Sequence, residues 1–148
     1  MPVRRRLTGE IATVENKSGE LGVDRTLEQG SPLYALDFPA RPPHPLESPT
    51  GLAEALGAKP REVLEARDLL CVFSSEDEIL ALKPDFAKIA ALDSFAVIVT
   101  APGKDCDFVS RFFAPAKGVN EDPITGSAHC TLIPYWSARL GQTELFAR

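Results

Sequence analysis

The chain has 148 residues, a formal net charge of −5, 44% hydrophobic residues and 25% charged residues, values ordinary for a globular domain with a real core. That length suits one domain and falls short of two full ones. The acidic balance argues against nucleic acid as a partner, because phosphate recognition needs a clustered basic surface. Nothing approaches the ~18 consecutive apolar residues of a membrane span, so no membrane partner is expected.

Met1-Pro-Val-Arg-Arg-Arg is followed by no apolar run, so no secretory leader is expected. Arg4, Arg5 and Arg6 form the one basic cluster and read as a solvated terminus. Ile11–Val14 and Leu21–Val23 read as strands flanking a turn at Ser18-Gly19. Leu33–Phe38 follows the break at Gly30-Ser-Pro and makes a third. Three such strands are a poor domain alone and imply a larger sheet. Pro39, Pro42, Pro43, Pro45 and Pro49 then fall within eleven residues. Such a run is stiff, lacks backbone donors, and reads either as a crossing between lobes or as a surface loop.

After the prolines the pattern becomes mixed. Thr50–Leu56 reads as a short helix ended by Gly57. Leu69–Phe73 reads as a buried strand. Ser75 and Glu78 have the spacing of a capping box ahead of Ile79, Leu80 and Leu82, and Pro84 stops that helix. Phe86–Leu92 reads as a further helix, Phe95–Thr100 as a central strand and Phe108–Phe113 as another. Cys71, Cys106 and Cys130 are odd in number and form no CxxC pair. They read as reduced thiols of a cytoplasmic protein, and with only His44 and His129 beside them no metal site is expected.

The chemistry concentrates in Arg111-Phe-Phe-Ala-Pro-Ala-Lys-Gly-Val-Asn-Glu-Asp-Pro-Ile-Thr-Gly-Ser-Ala-His-Cys. A strand ends near Phe113, a polar loop follows, and a helix over Ser127–Leu140 begins. Gly126 suggests positive φ and close backbone approach to a ligand. Thr125 or Ser127 is placed to cap the helix, whose first free N–H groups make a site for a carboxylate or other anion. The helix is apolar on nearly all sides and reads as buried, with a kink or break at Pro134. His129 and Cys130 are no catalytic pair, since neighbouring helix residues point about 100° apart. Glu121 reads as a solvated charge, and Tyr135 and Trp136 as core residues with polar tips.

Asp107-Phe-Val-Ser-Arg-Phe-Phe-Ala-Pro, Gly118, Glu121-Asp-Pro-Ile-Thr-Gly-Ser-Ala-His-Cys and Pro134-Tyr-Trp together resemble the second-lobe signature of the phenazine-biosynthesis-like (PhzF-type) isomerase family. Leu36-Asp-Phe-Pro-Ala-Arg-Pro-Pro is similar to its lobe-crossing strand, and Arg67-Asp-Leu-Leu also fits. The resemblance implies an α+β fold like diaminopimelate epimerase, in which a curled mixed or antiparallel sheet surrounds a buried central helix, here Ser127–Leu140. It implies residues 1–43 as terminal strands of a first lobe plus the crossing, and 44–148 as a second lobe, incomplete at its end. It also implies cofactor-independent proton transfer next to a carboxylate. Asp122 is then the catalytic candidate, and Asp122, Thr125, Gly126 and Ser127 are substrate-binding. The balance of charges at a helix N-terminus favours Asp122 holding a substrate amine or hydroxyl over relaying a proton.

The family's first-lobe glutamate and its Gly-His-Pro/Ala-Thr motif have no counterpart here, and His44 lies among prolines. Two functions follow. One is an isomerase or epimerase completed by a homo-oligomer or a complementary lobe; the other is a catalytically silent domain that binds a small acid or another subunit.

Overall fold

The computed structural model describes residues 5–8, 11–16, 19–28 and 31–148. Arg4, Ser18 and Gly30 lie outside them. The chain divides into two compact units, Met1–Pro39 and Ala40–Arg148.

In the first unit, β1 (Arg5–Thr8), β2 (Ile11–Asn16), β3 (Gly19–Glu28) and β4 (Ser31–Asp37) form an antiparallel meander in chain order. Arg5 and Arg6 are not a loose terminus: they pair with Val14 and Thr13 in the ladder. Main-chain pairing recruits them, and that signal is invisible in a run of arginines. β3 likewise extends well past its apolar kernel Leu21–Val23, because β2 and β4 pair with different parts of its length.

The second unit holds a six-stranded sheet ordered β10-β9-β8-β7-β6-β5. Its strands are β5 (His44–Pro45), β6 (Glu62–Glu65), β7 (Leu69–Val72), β8 (Val97–Pro102), β9 (Phe108–Ala114) and β10 (Val119–Asp122). Only β7 and β8 run parallel; the other pairs are antiparallel. A parallel pair needs a long crossover, and here it carries α2 (Glu76–Ala81) and α3 (Phe86–Ala90). Each helix is started by a side-chain cap, of which the sequence reading identified the one at Ser75. Ser75 Oγ accepts from Glu78 N–H at 3.3 Å, while Glu78 reaches back to the Ser74 N–H at 2.9 Å, one residue earlier than a standard capping box. Asp85 Oδ1 accepts from the Ala87 and Lys88 N–H groups. The preceding helix, α1 (Leu52–Leu56), stops at Gly57, whose φ of 78° is the left-handed conformation glycine adopts without strain.

Successive strand residues face opposite sides of the sheet, and two cores result. On one face Leu69, Cys71, Val97, Val99, Val109 and Phe113 meet Leu52, Leu56, Ile79 and Ile89 of the three short helices. On the other, Leu70, Val72, Ile98, Phe108 and Phe112 meet Ala128, Leu132 and Trp136 of the long helix α4 (His129–Leu140) and its approach. The helix expected inside a curled sheet thus lies against one face of it. Cys130, Thr131, Leu132 and Trp136 are buried, but Ile133 and Tyr135 are half-buried and Arg139 and Leu140 are exposed. Its apolar composition overstated its burial, because Ile133 and Tyr135 only flank the packed stripe.

Pro134 does not break α4. The Cys130 carbonyl, to which Pro134 has no N–H to donate, instead accepts from the backbone N–H of Arg41 at 2.7 Å. Among the described residues no helix is long and apolar enough to cross a membrane.

Candidate functional site

Strands β9 and β10 and the start of α4 frame the loop that the sequence singled out. β10 turns back after Gly118, whose φ is 84°, and ends at Asp122, opposite Phe112 of β9. Asp122 then organises the loop by short-range bonds. Its Oδ1 accepts from the Ile124 N–H at 3.3 Å, and its carbonyl accepts from Thr125 Oγ1 at 3.4 Å. This is an Asx-turn, the local bonding that aspartate favours. Oδ2 of Asp122 makes no hydrogen bond among the described residues. Ile124, between these anchors, is 87% exposed.

The helix start differs from the expectation in three ways. A 3₁₀ turn over Gly126–Ala128 precedes α4, which begins at His129 and not at Ser127. Neither Thr125 nor Ser127 caps it with a side chain. Gly126 does not use positive φ; among the described residues Gly51, Gly57, Gly118 and Gly141 do. The tight turn explains all three, since its Ala128 N–H is already taken by the Thr125 carbonyl at 3.1 Å. The N–H groups of Gly126 and Ser127 still have no acceptor among the described residues, so donors for an anion are present.

Ser127 Oγ is engaged from sixty residues away: Arg67 Nη2 donates to it at 3.3 Å. Arg67 is held in turn by Asp68, through Nε at 3.0 Å and Nη2 at 2.8 Å. Asp68 is 1% exposed, so this two-point pair compensates a buried charge. The Arg67 guanidinium also lies 4.5 Å from the centroid of the Phe95 ring, and Lys117 Nζ lies 4.9 Å from it. The residue type and spacing gave Arg67 no role, although a charged pair directly ahead of the buried run Leu69–Phe73 is a signal that something must neutralise it.

Asp122, Thr125, Gly126 and Ser127 share this loop, but no hydrogen bond joins Asp122 to Ser127. Glu121, expected to be solvated, forms a two-point pair with Arg111 at 2.7 and 2.9 Å. That hydrogen bonding holds the Glu121 carboxyl below the usual carboxylate range and raises the Arg111 guanidinium. Arg111 Nη1 also donates to the Ile79 carbonyl at 3.0 Å, tying the end of α2 to the sheet. His129 Nδ1 lies 3.4 Å from the Thr125 carbonyl. Burial pushes the Cys71 thiol up to about 12, which leaves no thiolate for nucleophilic work at neutral pH. No group of three or more His, Cys, Asp or Glu side chains is placed to hold a metal ion among the described residues.

These features define a mixed α+β protein with a polar donor loop at the head of a half-buried helix. The sequence profile described as phenazine biosynthesis-like protein matches residues 5–146, and the chain belongs to that family. Two relatives from Pseudomonas aeruginosa, each called an uncharacterized isomerase, are 53% identical over 131 residues and 50% identical over 141. The alignments cover 88% and 95% of this chain, and 49% and 52% of those proteins. A crystal structure of a phenazine biosynthesis protein of the PhzF family from Enterococcus faecalis superposes with a TM-score of 0.87 at 42% identity. It spans 96% of this chain and 54% of that one. A putative phenazine biosynthesis PhzC/PhzF protein from Clostridium difficile gives a TM-score of 0.83 at 38% identity. The chain thus spans about half the length of the curated relatives it matches.

Proposed function

We propose that the chain supplies one side of the active site of a cofactor-independent isomerase that moves a proton on a small carboxylate substrate. The observation that carries this reading is the pair of free N–H groups at Gly126 and Ser127, next to Asp122 with one unbonded carboxylate oxygen. The amides would take the substrate carboxylate and offset negative charge as it builds in the transition state. Asp122 Oδ2 would hold an amine or hydroxyl of the substrate, which fits a carboxylate already committed through Oδ1 to its own turn. The names of the relatives support isomerisation. An arrangement like diaminopimelate epimerase, with substrate between two lobes, belongs to the same reading, as does a cytoplasmic location. Proton transfer needs groups on both sides of the reacting carbon. The second side would come from a complementary lobe or a second copy of the chain.

The test combines native mass measurement with deuterium wash-in at carbon on a panel of small amino and hydroxy acids. Exchange next to a carboxylate is expected from the completed assembly. Asp122→Asn should then lower it about tenfold, mostly through KM, equivalent to ~1.4 kcal/mol. An assembled, folded protein that binds these acids and never exchanges them would sink the catalytic reading and leave a silent binding domain.

A further inference from the structure

The amides of Gly126 and Ser127 are fixed by the backbone, but the Ser127 hydroxyl is free to rotate, and its direction decides whether it helps or opposes an anion. Arg67 settles that direction. A hydroxyl oxygen that accepts from a cationic N–H turns its own hydrogen away from that donor, and Arg67 Nη2 sits 3.3 Å from Ser127 Oγ. The guanidinium has little freedom to leave, because two bonds fix it to Asp68, itself 1% exposed, and because it packs over Phe95. Lys117 brings a second positive charge to the same ring, and no carboxylate pairs with Lys117 among the described residues. A serine held only for structure needs no arginine that is itself fixed by a buried counter-ion.

We infer that Arg67 is a positioning residue for carboxylate binding: fixed by Asp68, it orients the Ser127 hydroxyl as a third donor beside the Gly126 and Ser127 amides. This rests on the reading of the loop as a carboxylate site. The orientation comes from the planar fork, which reaches Asp68 and Ser127 at once. A lysine offers a single ammonium and reproduces the charge without that geometry.

The experiment is a titration of the full chain with benzoate, followed through the backbone amide resonances of Gly126 and Ser127. Benzoate is expected to shift both in the wild type. Arg67→Lys and Arg67→Ala should each weaken apparent affinity about tenfold, as should Ser127→Ala. The double variant Arg67→Ala/Ser127→Ala should be no weaker than Ser127→Ala alone, since Arg67 acts through the hydroxyl. Arg67→Ala leaves Asp68 buried and unpaired, so Arg67→Ala/Asp68→Asn serves as the variant that keeps the fold. The Trp136 indole N–H resonance confirms that it does. Full affinity in Arg67→Lys would overturn the inference in favour of plain charge, and additive losses in the double variant would overturn it in favour of independent contacts. A wild-type response that Arg67→Ala/Asp68→Asn leaves unchanged would overturn it while sparing the carboxylate site. No wild-type response to benzoate would overturn both.

Discussion

The two faces of the six-stranded sheet are built on different terms. The face covered by α1, α2 and α3 is closed with aliphatic side chains, Cys71, Phe73 and Phe113, and its polar groups sit at the rim, in caps and in the Arg111–Glu121 pair. The face under α4 buries polar groups inside. Trp136 Nε1 donates to Thr100 Oγ1 at 3.0 Å, and Thr100 donates onward to the Val109 carbonyl at 2.7 Å. Asp68 is buried with this face's strand ends, and the donor loop leads into its helix. One side of the sheet holds the unit together with non-directional packing. The other adds directional bonds, which fix where the head of α4 sits and so where the Gly126 and Ser127 donors point.

Substitutions at three positions can break or sharpen that contrast. The largest effect is expected from Trp136→Ala, which removes a side chain 1% exposed and stacked on Phe108 at 5.6 Å. It should cost about 3–5 kcal/mol in urea unfolding. Trp136→Phe, which keeps most of the volume but strands the Thr100 acceptor, should cost noticeably less. Equal losses for both would mean that the bond to Thr100 matters more than the packing, and the contrast between faces would deepen.

A smaller effect belongs to the rim of the first face. The depressed carboxyl of Glu121 contributes stability that is present above its unfolded value, near 4.5, and is lost as pH falls through the lower folded value. Wild type should therefore exceed Glu121→Gln by about 0.5–1 kcal/mol at pH 7, a modest figure because the pair is partly open to water. The gap should close as the solution is acidified below about pH 4. A gap that persists at pH 2 would show that the pair's charge is not its source.

The smallest effect should be favourable. Thr131 is fully buried in α4, and its Oγ1 has no partner among the described residues. Thr131→Val exchanges an unsatisfied hydroxyl for a methyl of similar size, so a gain of up to about 1 kcal/mol is expected in thermal unfolding. A clear loss would reveal a hydrogen bond at Thr131 and enlarge the polar side of the comparison.

The sequence was most legible where signals are local. Ser75 with Glu78 announces a helix, Gly57 ends one, and the apolar runs Leu69–Phe73 and Phe95–Thr100 locate the buried strands. It was least legible where a partner strand decides, as at Arg5–Thr8 and at Glu62–Glu65, which alternates too weakly to declare itself. The loop Asp122–Ser127 was found by motif, but its turn chemistry was misread. Glycine at 126 suggested a positive φ, while the chain spends the residue on a 3₁₀ turn. Arg67 could not be connected to Ser127 from spacing, because only the parallel pairing of β7 with β8 and the packing of α4 bring their neighbourhoods together.

Pro134 carries a meaning that a search for helix ends would miss. By withholding its own N–H it leaves one carbonyl in mid-helix on offer, and the backbone of Arg41 takes it. The residue thus works as a reserved berth, keeping an acceptor open for the irregular segment at Arg41, which arrives from far along the chain. An alanine there would let the helix close on itself, and the Arg41 amide would lose its mooring. In this protein a helix-breaking residue leaves the helix whole and fastens something else to it.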